Sequence, residues 1–181
     1  MDRRQRKTRK SIFAAFNRLL ENKKFEEITV QNIIDEADIG RSTFYAHFET
    51  KYELIHAMCN DIFHHVFNER LPQEALSDYS KGLRNLELKL GHILFHLKDN
   101  NKNLKGLLKS DSSELLFRYI REYLNELFSK YLDEFNTEIP VDFLLHHLSG
   151  SFIETIRWWM NQETSYSSYQ VASFFMAAIS K

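Results

Sequence analysis

Over Arg41-Ser42-Thr43-Phe44-Tyr45-Ala46-His47-Phe48, the side chains of Arg41, Ser42, Thr43, Tyr45 and His47 can all hydrogen bond, and only Phe44 and Phe48 are clear core anchors. A guanidinium such as Arg41 can pair bidentately with guanine O6 and N7, a contact worth about 1 to 3 kcal/mol of discrimination between bases. Hydroxyl groups serve base edges or phosphate oxygens. Lys51 follows at the first turn of another expected helix, where a cation and free backbone N–H groups together suit a phosphate. Thr29, with Gln31 nearby, stands at the start of the preceding helix, as an N-cap first and a phosphate contact second. Tyr45 and His47 also fit a blander role as half-buried braces, and Lys51 that of a solvated lysine.

Other chemistries lack parts. There is no Gly-rich phosphate loop, no nucleophile with an evident base and no convincing carboxylate pair, so the sequence does not read as an enzyme. His92 and His96 are four apart, a spacing that can bind zinc if a third ligand arrives, from His146-His147 or His64-His65 for example. Ordinary surface or core histidines fit the same spacing; neither metal nor cofactor is assigned.

The elements that must position these residues read as helices throughout. Apolar positions recur at helical spacing, with two prolines and five glycines in 181 residues. A basic arm, Arg3-Arg4-Gln5-Arg6-Lys7, precedes a first helix expected from Thr8 to Asn22, striped by Ile12, Phe16, Leu19 and Leu20. Thr29 caps a short second helix carrying Val30, Ile33, Ile34 and Ala37. The turn Ala37-Asp38-Ile39-Gly40 follows, in which Asp38 tolerates a left-handed backbone and Gly40 caps the next helix, Arg41 to Phe48. Thr50 and Glu53 form a capping box for a longer helix to Glu69, striped by Ile55, Met58, Ile62 and Val66.

Two short helices joined by a tight turn make a poor enzyme scaffold but a good reader of the DNA major groove. Leu71-Pro72 to Ser80 is the expected boundary. Beyond it, helices are expected at Tyr79–Leu97, Lys102–Lys109, Ser112–Leu132, Pro140–Asn161 and Ser167–Ser180, with Ser167 to Gln170 as another capping box.

Charge follows the same division. Residues 1–51 carry eleven Lys/Arg against eight Asp/Glu, and the remainder thirteen against seventeen. A basic head on an acidic body implies that one end meets a polyanion. The single cysteine, Cys59, excludes an intramolecular disulfide and a thiolate-rich metal site. Met1 to Lys10 is charged where a signal peptide would be apolar, and no stretch approaches a spanning helix, so a cytoplasmic protein is expected.

The run Thr43-Phe44-Tyr45, His47-Phe48, Thr50-Lys51 and Leu54, with the Phe25 to Thr29 lead-in, closely resembles the DNA-binding domain of the tetracycline-repressor-like (TetR) family over about the first 55 residues. Asp38 stands at that pattern's usual turn glycine and Gly40 at its usual small polar cap. The resemblance implies that Arg41, Ser42, Thr43 and Ala46 face base edges, with Tyr45, His47 and Lys51 nearer the phosphates. The basic arm would add sequence-independent attraction or reach a minor groove.

The fold expected is all-α, about nine helices, with a three-helix head at 1–50, a connecting helix at 51–71 and a C-terminal body at 72–181. The resemblance implies a body that dimerises through its last two long helices and often encloses a small-molecule pocket. The helix from Pro140 has one stripe of Leu145, Leu148, Phe152, Ile156 and Trp159, with Leu144, Ile153 and Met160 beside it, so one can serve the core and the other a partner. Leu145, Leu148, Phe152 and Ile156, with Val171, Phe174, Phe175 and Ala178, are the expected dimer residues. For a pocket the aromatic residues are His92, Phe95 and His96; Phe117, Tyr119, Ile120 and Tyr123; and Trp158 or Trp159. Two-fold symmetry would set two recognition helices roughly 34 to 36 Å apart on a palindromic operator. A homodimeric repressor released by a small effector is the reading, with an activator or nucleoid-associated protein as the alternative.

Overall fold

The computed structural model describes residues 3–68, 83–98, 107, 113–135, 138–162 and 166–179. Among these, eight α-helices and no strands are found: α1 (Arg3–Asn22), α2 (Val30–Ala37), α3 (Arg41–Tyr45), α4 (Lys51–Asn68), α5 (Leu83–Lys98), α6 (Ser113–Ser129), α7 (Val141–Asn161) and α8 (Ser168–Ile179). Short 3-10 turns lie at Phe25–Glu27 and Leu132–Glu134. The expected boundary at Leu71 to Ser80 and the expected Lys102–Lys109 helix lie outside the described residues, except for Leu107, which is helical and buried.

The chain divides into two compact units: Met1–Asn60 with Lys102–Leu116, and Asp61–Asn101 with Phe117–Lys181. The division cuts α4 between Asn60 and Asp61, so that helix contributes to both.

In the first unit α1 packs on α2, and α2 on α3. Ile12, Ala15, Phe16 and Leu20 of α1 meet Ile33, Ile34 and Ala37 of α2 in a core that also holds Phe25, Ile28, Phe44, Phe48, Leu54 and Ile55. These are the i, i+3, i+4 positions of each helix, the spacing that makes one face apolar. The expected basic arm is helical: α1 begins at Arg3, five residues before Thr8, because nothing between Arg3 and Thr8 stops a helix and Thr8 Oγ1 donates back to the Arg4 carbonyl at 3.1 Å.

The second unit packs α8 along α5 and against α7. Gly91 is what lets α8 approach: a Cβ there would lie 2.5 Å from Cδ1 of Tyr169, deep in the ring rather than at a flexible tip. Trp159, Phe152, Ile156, Leu148, Val171 and Phe175 are buried here with Ile93, Leu94, Ile120 and Phe128. Pro140 stands at the N-cap of α7, one residue outside the first-turn position expected; its extended backbone (ψ 133°) directs its carbonyl to the Leu144 N–H at 2.9 Å. Ser167 and Gln170 form the expected reciprocal cap, at 3.2 and 2.9 Å.

Candidate nucleic-acid interface

The turn between α2 and α3 is built by residue chemistry at each step. Thr29 Oγ1 accepts from the Asn32 N–H at 3.1 Å while Asn32 Oδ1 accepts from the Thr29 N–H at 3.0 Å, a full capping box on α2. Thr29 as N-cap had marked this start, but Asn32 as the reciprocal cap is a residue the sequence reading missed; its place three residues after Thr29 was the available signal. Asp38 ends α2 at φ 52°, ψ 53°, the only positive φ among the described non-glycine residues. An aspartate tolerates this region better than most side chains. Gly40 then adopts an extended backbone as N-cap of α3, without a side-chain cap, its carbonyl accepting from Thr43 and Phe44 at 3.0 and 3.1 Å.

Helix α3 ends at Tyr45 rather than Phe48, with Ala46 as its C-cap and the His47 N–H turning to the Phe44 carbonyl three residues back at 2.9 Å. Phe44 is wholly buried and Phe48 nearly so, with ring centroids 6.1 Å apart. Those two anchors turn the opposite face outward. Arg41, Ser42, Tyr45 and Ala46 are exposed and Thr43 and His47 half-buried, with Tyr45 at 51% exposure. Thr29 and Gln31 are exposed on the start of α2. Arg41 Nη2 donates to Gln31 Oε1 at 2.6 Å, so the first residue of α3 and the second of α2 are tied at the surface.

Lys51 departs from the rest. Its ammonium donates to the carbonyls of Phe25, Ile28 and Glu26 at 2.8, 2.7 and 3.2 Å, and stands 4.3 Å from the Phe25 ring centroid. Burial pulls its pKa below the ordinary 10.5, the charge of Glu26 partly offsetting this. The structure thus places the Lys51 cation on the 3-10 turn as a staple. Thr50 Oγ1 accepts from the Glu53 N–H at 3.1 Å, as the capping box requires, while the Glu53 carboxylate accepts from Glu49 N–H at 2.7 Å, one residue earlier than in the usual box. Arg9 is a second staple missed in the sequence: it lies 5.0 Å from the Phe13 ring, 5.6 Å from the Phe48 ring, and donates to the Ala57 carbonyl at 3.4 Å.

In the second unit, the expected pocket residues differ in burial. His92, His96, Phe117, Ile120 and Trp159 are buried, and Phe95, Tyr119 and Tyr123 are half-buried. Trp158 is on the outside at 43% exposure, stacked on Tyr166. Trp159 points inward and donates to the Tyr166 carbonyl at 3.0 Å. His92 and His96 turn their Nε2 atoms on each other at 2.9 Å, and among the described residues no group of three His, Cys, Asp or Glu could hold a metal ion. Arg157 lies 4.0 Å over the Phe117 ring. Arg121 Nη1 and Asn125 Oδ1, one turn apart on α6, are buried and without a hydrogen-bond partner among the described residues.

The stripe expected at the dimer contact is divided by the fold. Leu148, Phe152, Ile156, Val171 and Phe175 lie in the protomer's own core, and Leu145 is half-buried. The exposed set is Phe174 and Ala178, joined by Val141, Phe143, Trp158 and Tyr166, which the sequence reading had not placed there. Trp158, Phe174 and Ala178 line an open groove between α7 and α8 with His147, Ser151, Glu154 and Thr155.

Two short helices at a tight turn, with a buried-aromatic back and a polar front, define a helix-turn-helix DNA-binding protein. The family model described as bacterial regulatory proteins, tetR family, matches residues 12–58, and one described as a transcriptional regulator C-terminal region matches residues 84–181. The chain belongs to the TetR family of transcriptional regulators. It is 32% identical to a TetR transcriptional regulator from Streptococcus agalactiae of known structure, with 99% of this chain and 97% of that chain covered and a TM-score of 0.73. An HTH-type transcriptional regulator of Staphylococcus aureus is 28% identical over 155 residues, 81% of this chain and 80% of the relative. The fold is also shared with NalD of Pseudomonas aeruginosa, the secondary repressor of a multidrug efflux pump (18% identity, 96% and 94% covered, TM-score 0.64). No helix among the described residues is long and apolar enough to cross a membrane.

Proposed function

We propose that this TetR-family regulator is a cytoplasmic repressor that binds a palindromic operator as a homodimer, each protomer laying α3 in the major groove. The observation that carries this is the outward polar face of α3, Arg41, Ser42, Thr43 and Ala46, backed by Phe44 and Phe48. Arg41 reads a base pair, Tyr45 and His47 flank it toward the phosphates, and Thr29 meets the backbone from the end of α2. The exposed aromatic cluster on α7 and α8 supports the dimer: apolar surface of this kind is stable in water when a partner covers it.

Release follows from a small effector in the C-terminal unit. Buried polar atoms without a partner cost about 1 to 3 kcal/mol each, so a ligand that satisfies Arg121 Nη1 and Asn125 Oδ1 favours the conformation that holds it. If that conformation spaces the recognition helices wrongly, operator affinity falls.

The test is selection of genomic DNA fragments by the purified full-length protein at about 150 mM salt, where purely electrostatic binding is suppressed. A palindrome enriched at a few promoters supports the reading. Many scattered, salt-sensitive fragments would replace it with a nucleoid-associated protein of the same fold, and sites lying upstream of promoters with an activator.

A further inference from the structure

Gln31 stands in a short chain of polar contacts at the protein's outward face. Its amide Nε2 donates to Asp35 Oδ1 at 2.7 Å, one turn along α2, and its Oε1 accepts from Arg41 Nη2 at 2.6 Å. An ionised carboxylate only accepts, so Asp35 fixes which end of the Gln31 amide faces it and leaves the oxygen turned toward Arg41. The guanidinium carries five N–H groups, of which this bond takes one. A two-donor edge is therefore still free for guanine O6 and N7.

We propose that Gln31 is a positioning residue for base readout: anchored by Asp35, it holds the Arg41 guanidinium in the orientation that reads a base edge, and it does not itself bind phosphate. The proposal rests on Arg41 as a base-reading residue. An exposed arginine samples many rotamers, and a long side chain that must be immobilised on binding loses affinity for doing so. Gln31 removes part of that loss before DNA arrives. Because the gain acts through Arg41, it appears as selectivity at the base pair Arg41 reads, not as general affinity.

The experiment is selection on a randomised duplex library by the full-length protein at fixed salt, for wild type, Arg41→Ala, Gln31→Ala and the double variant Gln31→Glu with Asp35→Asn. Thermal midpoints and salt slopes are measured alongside. Arg41→Ala is expected to erase preference at one position of each half-site. Gln31→Ala is expected to weaken the preference at that same position by about threefold to tenfold, with thermal midpoint, salt slope and the other positions unchanged. The double variant reverses the amide–carboxylate pair and keeps an acceptor facing Arg41, so preference returns. Loss of affinity for all sequences alike in Gln31→Ala would make Gln31 a phosphate contact and overturn the proposal. An unchanged profile in Gln31→Ala beside a changed one in Arg41→Ala would overturn it while leaving Arg41 as the reader. An unchanged profile in Arg41→Ala would remove the reading on which it rests.

Discussion

Lys51 shows how a single ammonium at the surface can be held by the chain's own carbonyls. Three carbonyls of the Phe25–Ile28 segment accept from it, so Lys51→Met leaves them short of a donor. The expected result is a stability loss of about 1 to 2 kcal/mol, read as a lower urea midpoint, with the salt slope of operator binding unchanged. A slope reduced by about one unit would instead return Lys51 to the phosphates. The pH dependence has a definite sign. The folded pKa lies below the unfolded 10.5, so the stability linked to this shift is present above 10.5 and is lost as pH falls through the folded value. Arg41→Ala belongs to this scale too, with weaker and less selective binding, a loss of about 1 to 3 kcal/mol at the cognate base, seen in titrations of operators differing at one base pair.

At the scale of the element, the turn and the helix contacts make separate demands. Asp38 at φ 52° should accept Gly without loss, whereas Asp38→Val, β-branched in a left-handed position, should cost about 1 to 2 kcal/mol and misorient α3. Thermal unfolding and operator affinity of the two variants check this. Gly91→Ala would drive a methyl into the Tyr169 ring, an overpacking cost of about 1 to 3 kcal/mol, and Tyr169→Leu in the same chain should recover part of it. Much of this was legible in the sequence: the Thr29, Thr50 and Ser167 caps, the left-handed aspartate and the Phe44–Phe48 back of α3 follow from local chemistry. What was not legible depends on tertiary neighbours. Periodicity gives α7 two apolar stripes but not which one the rest of the unit covers, so Phe152 and Ile156 went inward and Trp158 outward. A lysine beside a helix start looks the same in sequence whether its partner is a phosphate or the Phe25 carbonyl. Gly91 carries no side chain to signal that Tyr169 lies against it.

At the scale of the whole molecule, the proposed dimer can be tested on its exposed aromatic residues. Phe143 and Phe174 are 59% and 47% exposed, and Phe174 packs edge-on against Tyr166 with centroids 5.2 Å apart. If the proposed dimer forms through this surface, Phe174→Glu leaves the fold of each chain intact and yields monomers in sedimentation equilibrium, with operator affinity reduced because the two half-sites are no longer engaged together. A dimer that survives this substitution would place the two-fold interface elsewhere.

The division of α4 between Asn60 and Asp61 bears on how the chain breathes. Its first turns are bound into the head by Lys51 on the Phe25–Ile28 carbonyls and by Arg9 on the Ala57 carbonyl. Amide protons of that stretch should then exchange with deuterium together with α1 and α2, and those beyond Asp61 with the C-terminal unit, so a single unbroken helix would carry two protection levels.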